Sequence, residues 1–484
     1  MALSPVEYAR YDAIGLADLV ARKEVAPAEL LECAIDAAEA LNPELNALAE
    51  IYVDRRDSQA SSGRLAGVPT LLKDIGHIEP GRVIEYGSRL ARGNRAGVST
   101  RFLESILSSG MVPVGRTTSS ELAIAGITET AAFGPTCSPW DSARSSGGSS
   151  GGAGSAVGAG IVPIAQGSDG GGSIRIPASC CGVVGLKPTR GRISPAPYGH
   201  ALAGFAASFV LTRTVRDTAL ALDLYAGSAP GDPTPLTHSG PRFLEQLEDT
   251  PRGLRIAVAL ESFSGHDLDP QVVRAARQTA ELLTQMGHEV EIRQPRVAWE
   301  PFLRAMSLMW AADTGRLADL LSARTGRPVD ETTLERQTLA ICREGKALGA
   351  DDLLQADETF NEVNRAMAAF FGDCDVLVTP TLGQLPPPIG RYRPDEELDA
   401  VSFFGSWADV ESFLPLFNCT GQPAISLPLA MTEDGKLPIG IQLVGSYGDE
   451  ALVLRVARAL EVAAPWNGRT PPIHISERMD ENGS

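Results

Sequence analysis

The chain has 484 residues, 43% hydrophobic and 21% charged, enough to bury a large core, which excludes an intrinsically disordered chain and a disulfide-stapled miniprotein. Its 42 Lys and Arg against 60 Asp and Glu leave a net charge of −18. That field repels phosphate backbones and anionic headgroups, so neither nucleic acid nor a membrane surface is expected as a partner.

The opening MALSPVEYARYD has neither a basic stretch nor an apolar run behind it, so no secretory signal is expected. Pro27 then leads a predicted helix over Ala28–Leu41, where Leu30, Leu31, Ala34, Ile35, Ala38 and Leu41 recur at helical spacing. Beyond Gly67, short apolar runs alternate with helical segments. Strands are predicted at Met111–Val114, Leu254–Ala259, Val376–Val378 and Ile439–Val444, and helices at Thr100–Ser109, Asp217–Ala226, Pro270–Met286, Phe302–Ser322 and Glu450–Val462. This alternation predicts an α/β fold. No long Pro/Ser linker interrupts it, so one large domain is expected: residues 1–66 as an N-terminal helical segment, 67–476 as the main body and 477–484 as a frayed polar tail. Two uncharged stretches, Ser145–Ser168 and Ile193–Thr212, match a membrane span in length, but glycines and prolines such as Pro163, Pro195 and Pro197 break them, and no transmembrane helix is expected. Seven scattered cysteines without a C-x-x-C pair predict free thiols in a reducing cytoplasm. The six histidines show no metal-ligand spacing, so no metal is expected.

Between Gly147 and Gly172, 11 of 26 residues are glycine, against 49 of 484 overall, so the backbone there turns sharply or approaches something closely. A flexible linker would not need the apolar run Val157–Ala165 or the charged pair Asp169 and Arg175. A phosphate cradle lacks its G-x-x-x-x-G-K-[ST] string. Gly147-Gly148-Ser149-Ser150-Gly151 fits the G-x-S-x-G nucleophile elbow, yet no histidine stands in a recognisable setting to serve it. A second serine follows in Ser168-Asp169-Gly170-Gly171-Gly172-Ser173-Ile174-Arg175. Three glycines ahead of Ser173 offer unhindered N–H groups for a developing oxyanion. Upstream, Gly67-Val68-Pro69-Thr70-Leu71-Leu72-Lys73-Asp74 sets a lysine at the end of an apolar run, where burial disfavours the ammonium and a neutral amine can act as a base. Local sequence alone leaves open a surface cation or a partner of Asp74.

These three segments, GVPTLLKDI, GGSSGG and GSDGGGSIRIP, resemble in order and spacing the signature of the amidase signature family. The similarity continues through Gly185–Thr189, Asp375–Thr381, Asn418–Pro428 and Ile439–Gly445. Within the family the chain is most similar to the nylon-oligomer cyclic-dimer hydrolases and related bacterial amidases and urethanases, through Lys187–Pro195 and Ala464-Pro465-Trp466. The resemblance implies a central mixed sheet covered by helices on both faces, with residues 67–476 as the amidase signature domain. It implies a triad of Ser173 as nucleophile, Ser149 as bridging serine after a cis peptide and Lys73 as base. Two positions depart from the usual pattern: Gly170 stands where a threonine is usual, and Cys137-Ser138-Pro139 where an asparagine commonly precedes the proline.

In the implied mechanism Lys73 draws a proton through Ser149 from Ser173, whose oxygen attacks a carbonyl held by N–H groups of Gly170, Gly171 and Gly172, and an acyl-enzyme forms without a cofactor. Ser150, Asp169 and Arg175 are expected to position the turn. Met306, Trp310 and Phe413 are candidate walls for a small, largely apolar amide. Carbamates and esters share the tetrahedral chemistry, so a urethanase or esterase is an alternative, as is the amidase subunit of a tRNA-dependent amidotransferase. The expected partner is the small-molecule amide or carbamate itself, with a homodimer left open.

Overall fold

The computed structural model describes residues 3–56, 58 and 62–480. Its centre is an eleven-stranded sheet. In spatial order the strands are Leu48–Ile51, Val112–Thr117, Pro69–Lys73, Ile164–Asp169, Ala207–Thr212, Val184–Lys187, Ala424–Met431, Pro438–Gly445, Val376–Pro380, Arg255–Val258 and Glu289–Ile292. The sheet joins parallel pairs such as Pro69–Lys73 with Val112–Thr117 to antiparallel ones such as Ala207–Thr212 with Ile164–Asp169, so it is mixed. Helices flank it, as an α/β alternation requires.

All four predicted strands are strands of this sheet, and the predicted helices form as Pro27–Leu45, Arg101–Ser108, Val215–Tyr225, Pro270–Gln285, Trp299–Thr325 and Glu450–Ala463. The sequence pattern missed the helices Arg336–Ala347 and Ala350–Phe370. Their exposed faces are dense in charge and each presents only a thin apolar stripe, Leu339, Ile341 and Cys342 on one and Phe360, Val363 and Met367 on the other. The edge strand Glu289–Ile292 was missed for a similar reason, since most of it is exposed. Helix Ile475–Asp480 carries the first residues of the segment expected to fray, and 481–484 lie outside the described residues. The N-terminal helix Pro27–Leu45 shares one apolar core with the strand Pro69–Lys73, through residues such as Leu30, Ile35, Leu71 and Leu72. Among the described residues no helix is long and apolar enough to cross a membrane, and all seven cysteines are buried free thiols.

The topology brings two distant segments to one edge. Pro69–Lys73 and Ile164–Asp169 run parallel side by side, with Leu71 opposite Ala165, so both strands end at the same side of the sheet. Lys73 closes the first and Ser168 and Asp169 close the second. Helix Gly151–Gly158 packs behind them, and its glycines are dictated by contact. A Cβ on Gly152 would lie 2.2 Å from the Ala47 carbonyl oxygen, and one on Gly151 2.3 Å from Thr128 Oγ1.

Candidate active site

Lys73 is fully buried. Its Nζ lies 2.7 Å from Ser149 Oγ and 3.0 Å from Ser168 Oγ, and its backbone N–H donates to Gln166 Oε1 at 2.8 Å. Two carboxylates are near, and each is held by an arginine. Asp74 accepts from Arg116 Nη1 at 2.6 Å and from the backbone N–H groups of Glu85 and Gly87. Asp169 is paired with Arg175. Lys73 is therefore neither a surface cation nor the partner of Asp74. Burial lowers its pKa to about 7, against the opposing pull of Asp169 and Asp74.

Ser149 follows a cis peptide bond from Gly148 and is buried. The neighbouring Ser150 precedes the first turn of helix Gly151–Gly158. Its backbone N–H donates to the Ser173 carbonyl at 3.2 Å, and its hydroxyl donates to the Ser168 carbonyl at 3.2 Å, so Ser150 stitches the two serine-bearing loops together. Ser173 keeps 7% exposure and lines a cleft that Ser149 does not reach. Among the described residues no hydrogen bond joins Ser149 Oγ to Ser173 Oγ. The nucleophile-elbow reading of Ser149 loses its ground here, because a lysine and not a histidine meets that hydroxyl.

The loop carrying Ser173 is tied down by Asp169. Its carboxylate accepts from the N–H groups of Gly172 at 2.8 Å and Ile174 at 3.2 Å, from Arg175 Nε and Nη2, each at 2.9 Å, and from Asn418 Nδ2 at 2.8 Å. Burial works against the charge, but the Arg175 guanidinium and these donors hold the Asp169 carboxyl down at about 2. Arg175 in turn donates to Gln442 Oε1, Asn418 Oδ1 and the Leu414 carbonyl. Ser150, Asp169 and Arg175 are thus all bonded to the loops that carry the two serines. One expectation is corrected: the Gly172 N–H is spent on Asp169 and cannot also face an oxyanion, which leaves Gly170 and Gly171 of the three. Gly172 itself has φ +139, and a Cβ there would meet Leu414 Cδ1 at 2.7 Å, so only glycine fits.

The cleft beside Ser173 is walled by Ile124, Leu303, Met306, Trp310 and Phe404, with the Glu411 carboxyl among them. Met306 and Trp310, two of the expected walls, line this cleft. Phe413 does not: it is fully buried, with its ring edge-on to Phe263 at 5.1 Å, so it belongs to the core under the cleft. The unusual Gly170 has a local reason, since a Cβ on it would lie 2.7 Å from Leu202 Cδ1 and 3.1 Å from Trp310 Cζ2. Sequence reasoning missed Ser168, Gln166, Asn418 and Glu411. Gln166 and Ser168 are two apart on one strand and share a face, a signal that was present once the strand was recognised. Glu411 had none, since in Ala408-Asp409-Val410-Glu411-Ser412 it is one of two acids among mixed polar and apolar residues. Among the described residues no group of three or more His, Cys, Asp or Glu is placed to hold a metal ion.

The amidase family's sequence pattern matches residues 29–454. The chain is 36% identical over 476 residues to the 6-aminohexanoate-cyclic-dimer hydrolase of Paenarthrobacter ureafaciens, covering 96% of each chain. It is 32% identical to an acylamidase of Rhodococcus erythropolis, covering 94% of this chain and 96% of that one. A solved structure of a 6-aminohexanoate cyclic dimer hydrolase superposes with a TM-score of 0.92 at 35% identity, over 96% of this chain and 99% of the other. A buried lysine beside a serine that follows a cis peptide, a glycine-flanked second serine and this end-to-end similarity have one meaning: the chain belongs to the amidase signature family of amide-hydrolysing enzymes.

Proposed function

We propose that the protein hydrolyses amide bonds of a small, largely apolar substrate through an acyl-enzyme on Ser173, with Ser149 as proton relay and Lys73 as base. The observation that carries this reading is Lys73 itself: a buried amine with two serine hydroxyls within 3.0 Å and, among the described residues, no carboxylate partner. A lysine whose pKa burial lowers to about 7 is neutral in about half of the molecules at that pH, and the neutral amine can accept a proton.

Neutral Lys73 takes the Ser149 proton as Ser149 takes that of Ser173, and Ser173 Oγ bonds to the substrate carbonyl carbon. The oxyanion faces the N–H groups of Gly170 and Gly171. The tetrahedral adduct collapses with cleavage of the C–N bond, and the proton held on Lys73 returns through Ser149 to the departing nitrogen. Water then attacks the ester, the same relay takes its proton, and acid and free Ser173 result. The cleft of Met306, Trp310 and Phe404 suits an apolar chain. The 6-aminohexanoate cyclic dimer for which the similar hydrolases are named joins such chains through amides, which supports a substrate of that kind.

The test uses the purified chain alone, without ATP or tRNA, on matched amides, carbamates and esters. Amide turnover that disappears in Ser173→Ala, with a fluorophosphonate label on Ser173, is expected. Label on Ser149, or a preference for carbamates over matched amides, would replace this reading.

A further inference from the structure

A cavity of about 820 Å³ shares no lining residue with the cleft beside Ser173. Two helices fix its place. Gly151–Gly158 starts just after Ser149 and Ser150 and ends with Val157 and Gly158 on the cavity wall; Arg175–Cys181 starts two residues after Ser173 and reaches the same wall with Cys181. At a rise of 1.5 Å per residue, about 10–12 Å of helix separates the serine loops from this wall.

The wall is cationic, in a chain whose net charge is −18. Among the described residues, three of its guanidinium groups have no carboxylate partner. Arg469 donates to the carbonyls of Pro428 and Leu429. Arg213 Nη1 donates to the Ala9 carbonyl, and the residue after Ala9 is Arg10, whose side chain bonds to nothing. Of the acids on the wall, Asp12 is held by Arg216 and Glu461 by Arg458, which leaves Glu477. Arg213 is part-buried, yet its Nε and Nη2 are themselves buried without a hydrogen-bond partner. A charged donor edge left unpaired in this way costs more than a neutral one.

We propose that this cavity is a second ligand site, for a small organic carboxylate with an apolar body, and that Arg213 and Arg10 hold its charge. The Nε–Nη2 edge of a guanidinium is the one that grips a carboxylate through two parallel N–H···O bonds. Trp466 stands beside it, its indole N–H donating to the Arg213 carbonyl at 3.0 Å. Trp140, Val157 and Val462 continue an apolar side of the same cavity. A bare phosphate would satisfy the guanidinium groups but turn its remaining oxygens toward those walls, where nothing pairs with them, whereas a carboxylate turns its hydrocarbon there. The site is independent of the chemistry assigned to Ser173.

The test is calorimetric titration of the full chain at pH 7 with hexanoate, 1-hexanol, hexylammonium and inorganic phosphate, none of which the proposed hydrolysis can consume. Hexanoate is expected to bind once per chain, about tenfold or more tighter than the alcohol or the ammonium. Arg213→Gln should weaken hexanoate by about tenfold or more, and Arg10→Gln, at an exposed position that folding does not depend on, by several-fold. Trp310→Ala, in the cleft beside Ser173, should leave hexanoate binding unchanged. Absence of hexanoate binding, or hexanoate no tighter than 1-hexanol, overturns the proposal. So does an affinity that survives Arg10→Gln together with a folded Arg213→Gln, or, should Arg213→Gln not fold, one that survives Arg10→Gln alone. Binding lost in Trp310→Ala would place the acid in the cleft instead, and phosphate binding tighter than hexanoate would make the cavity a site for inorganic anions; either result overturns it.

Discussion

Asp74 accepts a 2.6 Å hydrogen bond from Arg116 Nη1 and so points its charge away from Lys73, the residue beside it in sequence. This sets the protonation state of the proposed base. With Asp74 held by Arg116 and Asp169 by Arg175, burial decides, and Lys73 titrates near 7 instead of in the usual lysine range. Activity depends on the neutral amine. The acid limb of kcat/KM should therefore rise with pH through a midpoint near 7 and level off above it. A profile flat from about pH 5 to 9, with chemistry rate-limiting, would remove Lys73 from the mechanism.

Arg116→Met tests the same relationship from the other side. It leaves the Asp74 carboxylate without its cation and free to favour a protonated Lys73. The midpoint should move up by roughly one pH unit. Stability falls too, because Arg116 also reaches Glu85 at 3.1 Å; the pH profile separates the two effects, since loss of folded protein lowers the plateau without moving the midpoint.

Asp169 is the anchor of the nucleophile loop, and its carboxyl titrates at about 2 in the folded chain. A carboxyl whose pKa is lowered by folding contributes stability above its unfolded value of about 3.9, and that contribution is lost as the pH falls toward 2. Asp169→Asn leaves Arg175 buried and uncompensated, which costs about 3–5 kcal/mol in comparable buried pairs. Urea denaturation at pH 7 should show a loss of that order, narrowing below about pH 4 as the wild type loses its own charge. Equal stability at pH 7 would mean that Asn418 and Gln442 alone hold Arg175.

Much of this arrangement was legible in the sequence. The spacing of apolar residues located the strands Val376–Pro380 and Pro438–Gly445, whereas Lys73 stayed open on local sequence and took the part of a base only through the resemblance that the two glycine-serine segments carry. What escaped was long-range pairing. Nothing local in Asn418 or Gln442 says that each meets Arg175, 243 and 267 residues away in sequence. Phe413 misled for a related reason: an aromatic residue reads alike in the sequence whether it faces a cleft or the core, and only the packing against Phe263 decides. Gly172 shows the limit of counting N–H groups, because which of them face outward depends on where Asp169 sits.

Gly170 and Trp310 form a complementary pair that can be tested directly. A threonine at 170 would meet Trp310 Cζ2 at 3.1 Å and Leu202 Cδ1 at 2.7 Å. Leu202 can swing aside, but the indole ring has to shift into the cleft. Gly170→Thr should raise KM for long apolar amides several-fold while affecting a short acyl amide less. Adding Trp310→Ala should remove much of that difference, giving a coupling of about 0.5–3 kcal/mol in a double-mutant cycle on kcat/KM. Additive effects would show that the two side chains do not share this space.

The proton that Lys73 carries has two uses, and substrates can be chosen that need only one. An amide nitrogen must be protonated as it leaves, whereas a nitrophenolate departs without help. Lys73→Met keeps an apolar stem in the pocket next to Ser149 but removes both the acceptor of the first proton and the donor of the second. Amide hydrolysis should then fall by considerably more than hydrolysis of the nitrophenyl ester with the same acyl group, on the scale of roughly 10²–10⁴ expected for general acid–base catalysis. Using one acyl group cancels much of any change in binding. Should both substrates lose the same factor, with acylation rate-limiting for each, the 2.7 Å contact to Ser149 would be a structural prop for that hydroxyl, and the relay through Lys73 would have to be abandoned.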